Sequence, residues 1–279
     1  MRSGRNPTRR NRNIGTVKQG HGQDNRDVIP AGFPDDRIFY EHLVNPVAVR
    51  RTIGDHNLTF LVEPTRSDCT HACTIDDVCH ILQFVSQDHL DGIELVLLRQ
   101  PTRKQSTLSS VWGRFVYYAV TGKYSGTAIC LEAQDISKPW HWKTSSASPD
   151  DHKELDRLRE DGHRIALKKR FYEIERTLES VRSTQLYRTL LHELGHYVDW
   201  LIHLLNPVVA SSDPDEEDRI TRAFDGKPFQ EREAFAHRYA DDLKAGLTSK
   251  QSVPFERILD YKRMEREGLN RKWFTHNAG

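Results

Sequence analysis

Residues 189–201 read TLLHELGHYVDWL. On a helix, His192 and His196 stand about 40° apart around the axis and about 6 Å apart along it. Both imidazoles therefore reach one point, and Glu193 watches that point from one step round. This is the HExxH arrangement, in which two histidines hold zinc and the glutamate serves as general base. The chain carries 14 histidines in 279 residues, so a chance match or a surface histidine patch has to be weighed first. The flanks argue against both. Leu186, Leu190, Leu191, Leu194, Val198, Trp200 and Leu201 make the segment apolar over most of its circumference, as a buried helix is. Buried imidazoles and a buried carboxylate need partners, and a single zinc ion satisfies all of them.

A catalytic zinc takes three protein ligands and leaves a fourth position for water. His203 lies on the same side of the helix as His192 but about 16 Å further along it. It reaches the metal only if the helix breaks. The extended metzincin pattern fails, because its glycine position holds Asp199 and its last histidine position holds Ile202. Asp199 shares the ligand face and is placed to accept the outer N–H of a ligand imidazole, a partner such histidines usually have. The segment PFQEREAFAHRYADDL, 228–243, offers a better third ligand. Glu231 and Glu233 point to nearly opposite faces of a helix, so only one of them can ligate. Glu233 shares its face with Ala236, His237 and Ala240, whose small alanines permit close approach to the HELGH helix. Glu231 shares its face with Ala234 and Arg238, where an ion pair is the simpler use. Gly195 costs a helix about 1 kcal/mol relative to alanine, which suggests that a neighbouring backbone comes close there.

HELGHYVDW followed by EREAFAHRYA resembles the gluzincin group of zinc metallopeptidases, and in particular minimal gluzincins and anthrax lethal factor-like catalytic domains. The likeness covers about fifty residues in two blocks, together with a looser strand-then-helix layout before them. It implies a zincin-like fold, one zinc bound by His192, His196 and Glu233, Glu193 as the base, and a peptide or protein substrate. It also implies that the strand before the active-site helix, GTAICLEA (126–133), edges the cleft and adds substrate to the sheet. One departure stands out: the oxyanion-binding tyrosine of lethal factor-like domains has no counterpart in DGKPFQ, just before the third-ligand helix. His237, Tyr239, Tyr197 and Tyr261 are the candidates for that role.

The rest of the chain reads as α+β, a small mixed sheet followed by a helical half. LTFLVE (58–63), IELVLL (93–98), WGRFVYYAV (112–120) and GTAICLEA are strand-like. TIDDVCHILQFV (74–85) is a helix with Thr74 at its N-cap and Asp77 three residues on. Residues 151–182 show a long charged amphipathic pattern, the HELGH helix is expected to stop at Asn206-Pro207, and helices return at about 229–246 and 254–268.

Lys and Arg number 41 against 40 Asp and Glu, a net charge of +1, so no global field points to nucleic acid or an anionic membrane. No apolar run is long enough to span a bilayer. Residues 1–34 form a basic leader with the composition of a disordered tail; residues 35–279 read as one domain. The leader lacks the apolar segment of a secretory signal, which leaves the cytoplasm as the expected compartment and export by an unconventional signal as the alternative. Cys69, Cys73 and Cys79, beside His71 and His80, offer ligands for a second, structural zinc, but C-x3-C-x5-C is no common finger spacing, and reduced thiols, with Cys79 an apolar residue of a helix, are the simpler reading. Two functions follow: a zinc metalloendopeptidase, or a non-catalytic zincin-fold protein with a structural metal and a basic arm contacting nucleic acid. An intact Glu193 favours the first, since a structural site has no use for it.

Overall fold

Near the start of the described chain, two strands pair antiparallel across the turn at Gly54, β1 (Val47–Ile53) and β2 (His56–Val62). The computed structural model describes residues 41–108, 111–144 and 149–275; the basic leader lies outside them. The helix α1 (Ile75–Leu82) follows, closed by a capping box in which the Thr74 side chain accepts from Asp77 N–H and the Asp77 carboxylate accepts from Thr74 N–H. It carries the chain across to β3 (Ile93–Arg99), which pairs parallel to β2. The short α2 (Arg103–Leu108) then leads to a hairpin, β4 (Gly113–Thr121) and β5 (Tyr124–Glu132). Its two-residue loop opens on Gly122 at φ +61°, a backbone region that suits tight hairpins and favours glycine. The sheet order is β1-β2-β3-β5-β4.

Side chains alternate across this sheet. Phe60, Val62, Val96, Leu98, Ile129 and Leu131 face the main core with α1 and the HELGH helix. Leu61, Leu95, Leu97, Ala128 and Cys130 fill a second apolar layer on the other side. With both sides covered, β3 and β5 read as nearly unbroken apolar runs.

The order corrects one expectation. Residues 126–133 are not at the edge: β5 lies between β3 and β4, paired on both sides. The edge strand next to the HELGH helix is β4. A β4–β5 hairpin inserts its returning strand against β3, which leaves the outgoing strand outside.

The expected long helix over 151–182 is also corrected. There β6 (Trp140–Lys143), α3 (Pro149–Glu160), β7 (Arg164–Leu167) and β8 (Phe171–Glu175) form a three-stranded antiparallel sheet, order β6-β8-β7, with α3. Gly162 at φ +94° stops α3, as left-handed glycines commonly do at helix ends. Leu155, Leu158 and Ile174 make a small core under Trp112, Trp140 and Trp142.

The helical half then runs through α4 (Leu178–Thr184), α5 (Leu190–Trp200), α6 (Asn206–Ala210), α7 (Pro214–Asp225), α8 (Phe229–Ser249) and α9 (Tyr261–Arg266). Pro207 does not end the HELGH helix. A π-turn at Leu201–Leu205, with Asn206 N–H reaching the Leu201 carbonyl, carries the chain past the proline into α6. The proline sits in the first turn of α6, a position proline tolerates.

Residues 254–268 are mostly not helical, because side chains claim their amides. The Asp77 carboxylate accepts Ile258 N–H at 3.0 Å and Arg182 at 2.9 and 3.2 Å, while the Tyr187 hydroxyl accepts Phe255 N–H at 3.2 Å. Asp77 is fully buried and joins α1, α4 and the C-terminal segment. Asp77→Ala would leave Arg182 buried beside Phe255 without its carboxylate, and removing one partner of a buried pair costs about 3–5 kcal/mol. Urea unfolding of the variant should show a loss of that size; a loss below about 1 kcal/mol would mean that the pair is not what anchors the C-terminal segment.

Candidate metal and catalytic site

α5 is flanked by two π-turns, Gln185–Thr189 before it and Leu201–Leu205 after it, a feature frequent at functional sites. Gln185 pins the start of the assembly to the sheet, donating to the Glu132 and Trp112 carbonyls at 2.8 and 3.0 Å. Downstream, α8 crosses α5 with almost no gap. A Cβ on Gly195 would stand 2.7 Å from Ala236 Cα and 2.8 Å from the Ala236 carbonyl oxygen. The glycine in HELGH and the alanine in EAFAH therefore let two backbones touch, and this contact delivers Glu233 to the histidines.

His192 Nε2 and His196 Nε2 are 3.1 Å apart, and each is 3.3 Å from a Glu233 carboxylate oxygen. A tetrahedron with ligand bonds of about 2.0–2.1 Å has edges of about 3.3–3.4 Å. The two imidazole nitrogens face different oxygens of the one carboxylate, Oε2 from His192 and Oε1 from His196, each at close to a tetrahedral edge, and two imidazoles with one carboxylate are donors of a common catalytic set. Glu231 is exposed on the outer side of α8, as the helical period requires. His203 is turned to Asp199, at 2.8 Å.

Electrostatics bind the triad together. The hydrogen bonds of His192 and His196 hold the Glu233 carboxyl far below the usual carboxylate range. Burial opposes charge on His196, but Glu233, with help from Glu193, raises its affinity for a proton. Glu193 is buried, and burial pushes its carboxyl up against the opposing pull of both histidines and of a hydrogen bond from Phe115 N–H. Phe115 belongs to the edge strand β4. Glu193 therefore lies between the donor triad and the edge strand of the sheet.

Of the residues expected to support the site, His237 arrives, while Tyr239, Tyr197 and Asp199 are engaged elsewhere. His237, Glu233 and His192 have donor atoms within 4.8 Å of one another, and the His237 and His192 rings are 4.5 Å apart. The tighter spacing of His192, His196 and Glu233 makes that triad the better cage and leaves His237 at its side. Burial, with His192 and Arg157 nearby, pulls His237 down to about 4. Arg157 Nη1 stands 3.5 Å from His237 Nε2. A guanidinium only donates, so in this long contact the His237 ring nitrogen faces a donor. Tyr239 is corrected: its hydroxyl meets His89 Nδ1 at 3.1 Å, away from the triad. Tyr197 likewise bonds the Asp91 carbonyl. Asp199 is corrected too. Its carboxylate takes Lys227 at 2.9 Å and His203 at 2.8 Å, and among the described residues no hydrogen bond joins it to a ligand imidazole. Its effect on His196 is one of charge alone.

Compared with protein-family models, curated proteins and solved structures, the chain matches none.

A cavity of about 280 Å³ opens beside the triad, walled by Trp112, Trp140 and Trp142 and reaching His192, Glu193 and His237. Sequence reading passed over these tryptophans and over the Phe115 amide. The alternation in WHWK was the available signal for β6; nothing local places it opposite α5. The cysteines do not converge. Cys73 bonds Gln185, Cys69 accepts from Arg66, and burial raises the thiols of Cys69, Cys73 and Cys79. Among the described residues, the one His/Cys/Asp/Glu grouping with metal-ligand spacing is that of His192, Glu233 and His237.

Proposed function

We propose that this chain is a zinc-dependent endopeptidase of the zincin type, akin to minimal gluzincins. The observation that carries the reading is the triad of His192, His196 and Glu233 at 3.1–3.3 Å spacing, with Glu193 beside it at the edge strand of the sheet. His192, His196 and Glu233 would hold the ion. When bound, zinc supplies Lewis-acid polarisation of a carbonyl and lowers the pKa of a coordinated water.

The chain's own residues do the rest. Glu193 takes the proton of the attacking water and hands it to the leaving amine, a general acid–base role. The Phe115 backbone amide favours the charged carboxylate that accepts this proton. Among the described residues β4, not β5, is the edge strand to which an extended peptide would add. The tryptophan-walled cavity at its start accepts a large apolar side chain of that peptide. His237, beside His192 and Glu233, is the residue we assign to the developing oxyanion.

Equilibrium dialysis is expected to give one zinc per chain, with His196→Ala losing both the metal and part of the stability, because metal binding and folding are coupled. Proteome-wide cleavage with and without chelator then reads the activity. Tight zinc binding with no chelator-sensitive cleavage in any extract would leave the non-catalytic binding protein as the answer.

A further inference from the structure

A second, larger cavity adjoins the first. It measures about 480 Å³ and shares Val111 and Trp140 with the tryptophan-walled pocket. It opens where β3 and β5 end, and its lining is strongly cationic. Five arginines and one lysine face three carboxylates among the described residues, although the whole chain is close to neutral.

Two of these carboxylates are already bound. Glu132 Oε1 takes Arg99 at 2.6 Å and Arg114 at 3.4 Å, so two guanidinium groups share one acid. Asp68 pairs with Arg66 at 3.1 Å and faces Arg103 at 3.7 Å. The third, Asp135, turns its oxygen to Ser137 N–H at 2.9 Å. Among the described residues, Arg176 makes no ion pair. Its donors reach only neutral oxygens, Gln134 Oε1 at 3.3 Å and the Asp135 and Lys138 carbonyls. Its Nε is buried with no partner, and burial pulls its pKa below the ordinary arginine value. The Asp135 charge acts on Arg176 in the opposite sense without a direct ion pair, and a desolvated guanidinium that lacks one is costly. An incoming anion would remove that cost.

We propose that this pocket seats the carboxylate side chains of an acidic segment of the substrate peptide, away from the scissile bond. The source of the ligand rests on the peptidase reading. A peptide added along β4 passes Phe115, at the level of Glu193, and leaves the strand beyond Gly113 towards Val111. Four residues at about 3.3 Å each is about 13 Å, which brings residues some four positions from the bond to the wall that both cavities share. The acidic residues of the substrate belong at or beyond that position.

The test measures binding, separate from turnover. Fluorescein-labelled hexaglutamate is titrated into the full chain and followed by anisotropy, with chelator present so that no carboxylate can ligate metal. Arg176→Gln is expected to weaken binding by about tenfold or more, in line with the loss of charged hydrogen bonds. Lys138→Gln, an exposed change with no bearing on folding, should weaken it by about two- to fivefold. Glu193→Gln should bind as wild type does, and hexalysine should not bind. If both pocket variants hold hexaglutamate as tightly as wild type, the peptide sits elsewhere, for instance on the basic leader, and the proposal fails. It fails also if inorganic phosphate binds while hexaglutamate binds no tighter than free glutamate, the result for a small-anion site. Hexaglutamate bound by a chain that cleaves nothing would count against the peptidase reading alone and leave the acidic-peptide pocket standing.

Discussion

Glu193→Gln is expected to retain zinc at wild-type stoichiometry while hydrolysis falls by about 10²–10⁴, the range for loss of a general base. Glutamine keeps the length of the side chain and can still accept from Phe115 N–H, but it takes no proton from water. The substitution is safe for the fold as well. Glu193 is buried and burial opposes its charge, so a neutral isostere removes a strained charge and leaves no hole. Stability should hold or rise slightly. Equal cleavage by wild type and variant at equal zinc content would show that Glu193 is not the base.

Gly195→Ala should damage the site through packing alone. In an ordinary helix this change stabilises by about 1 kcal/mol. Here the added methyl would stand 2.7 Å from Ala236 Cα and 2.8 Å from its carbonyl oxygen, and backbone cannot rotate away as a side chain can. α8 must move off α5, at an overpacking cost of about 1–3 kcal/mol. Glu233 lies three residues before Ala236 on the same helix, so the third ligand moves with it. A displacement of about 1 Å at a reacting centre costs on the order of 10²-fold in rate. Zinc affinity and cleavage should fall together, with a lower melting temperature. Unchanged zinc affinity with raised stability would mean that the two helices are free to part without cost to the site.

Much of this site was legible along the chain because helices impose a local rule. The 3.6-residue period places His192 and His196 on one face, sets Glu233 apart from Glu231, and puts Ala236 next to the metal face; each of these depends only on neighbours within a few residues. The α1 cap was legible for the same reason, since Thr74 and Asp77 bond each other's backbone within one turn. The gap at Gly195 was legible as an unexplained cost in a helix, though its cause lies forty-one residues away at Ala236.

Other features were decided by partners that no local pattern names. Strand order is one: β4 and β5 are both apolar, and only pairing with β3 assigns β5 to the middle and β4 to the cleft. The sheet β6-β8-β7 is another, because its strands are short and half-exposed, so charge on their outer faces imitates an amphipathic helix. Asp77 overrides the helical pattern after residue 254 by taking a backbone amide 181 residues away in sequence. Asp199 and Tyr239 stand on the expected helices, yet Lys227 and His89 claim their polar atoms. The sequence by itself determined which residues can share a helix face, and so the donor set of the site. Only the tertiary structure decided which sheet edge, which tryptophans and which cations surround it, since those depend on long-range pairing and on competition among polar partners for the same buried groups.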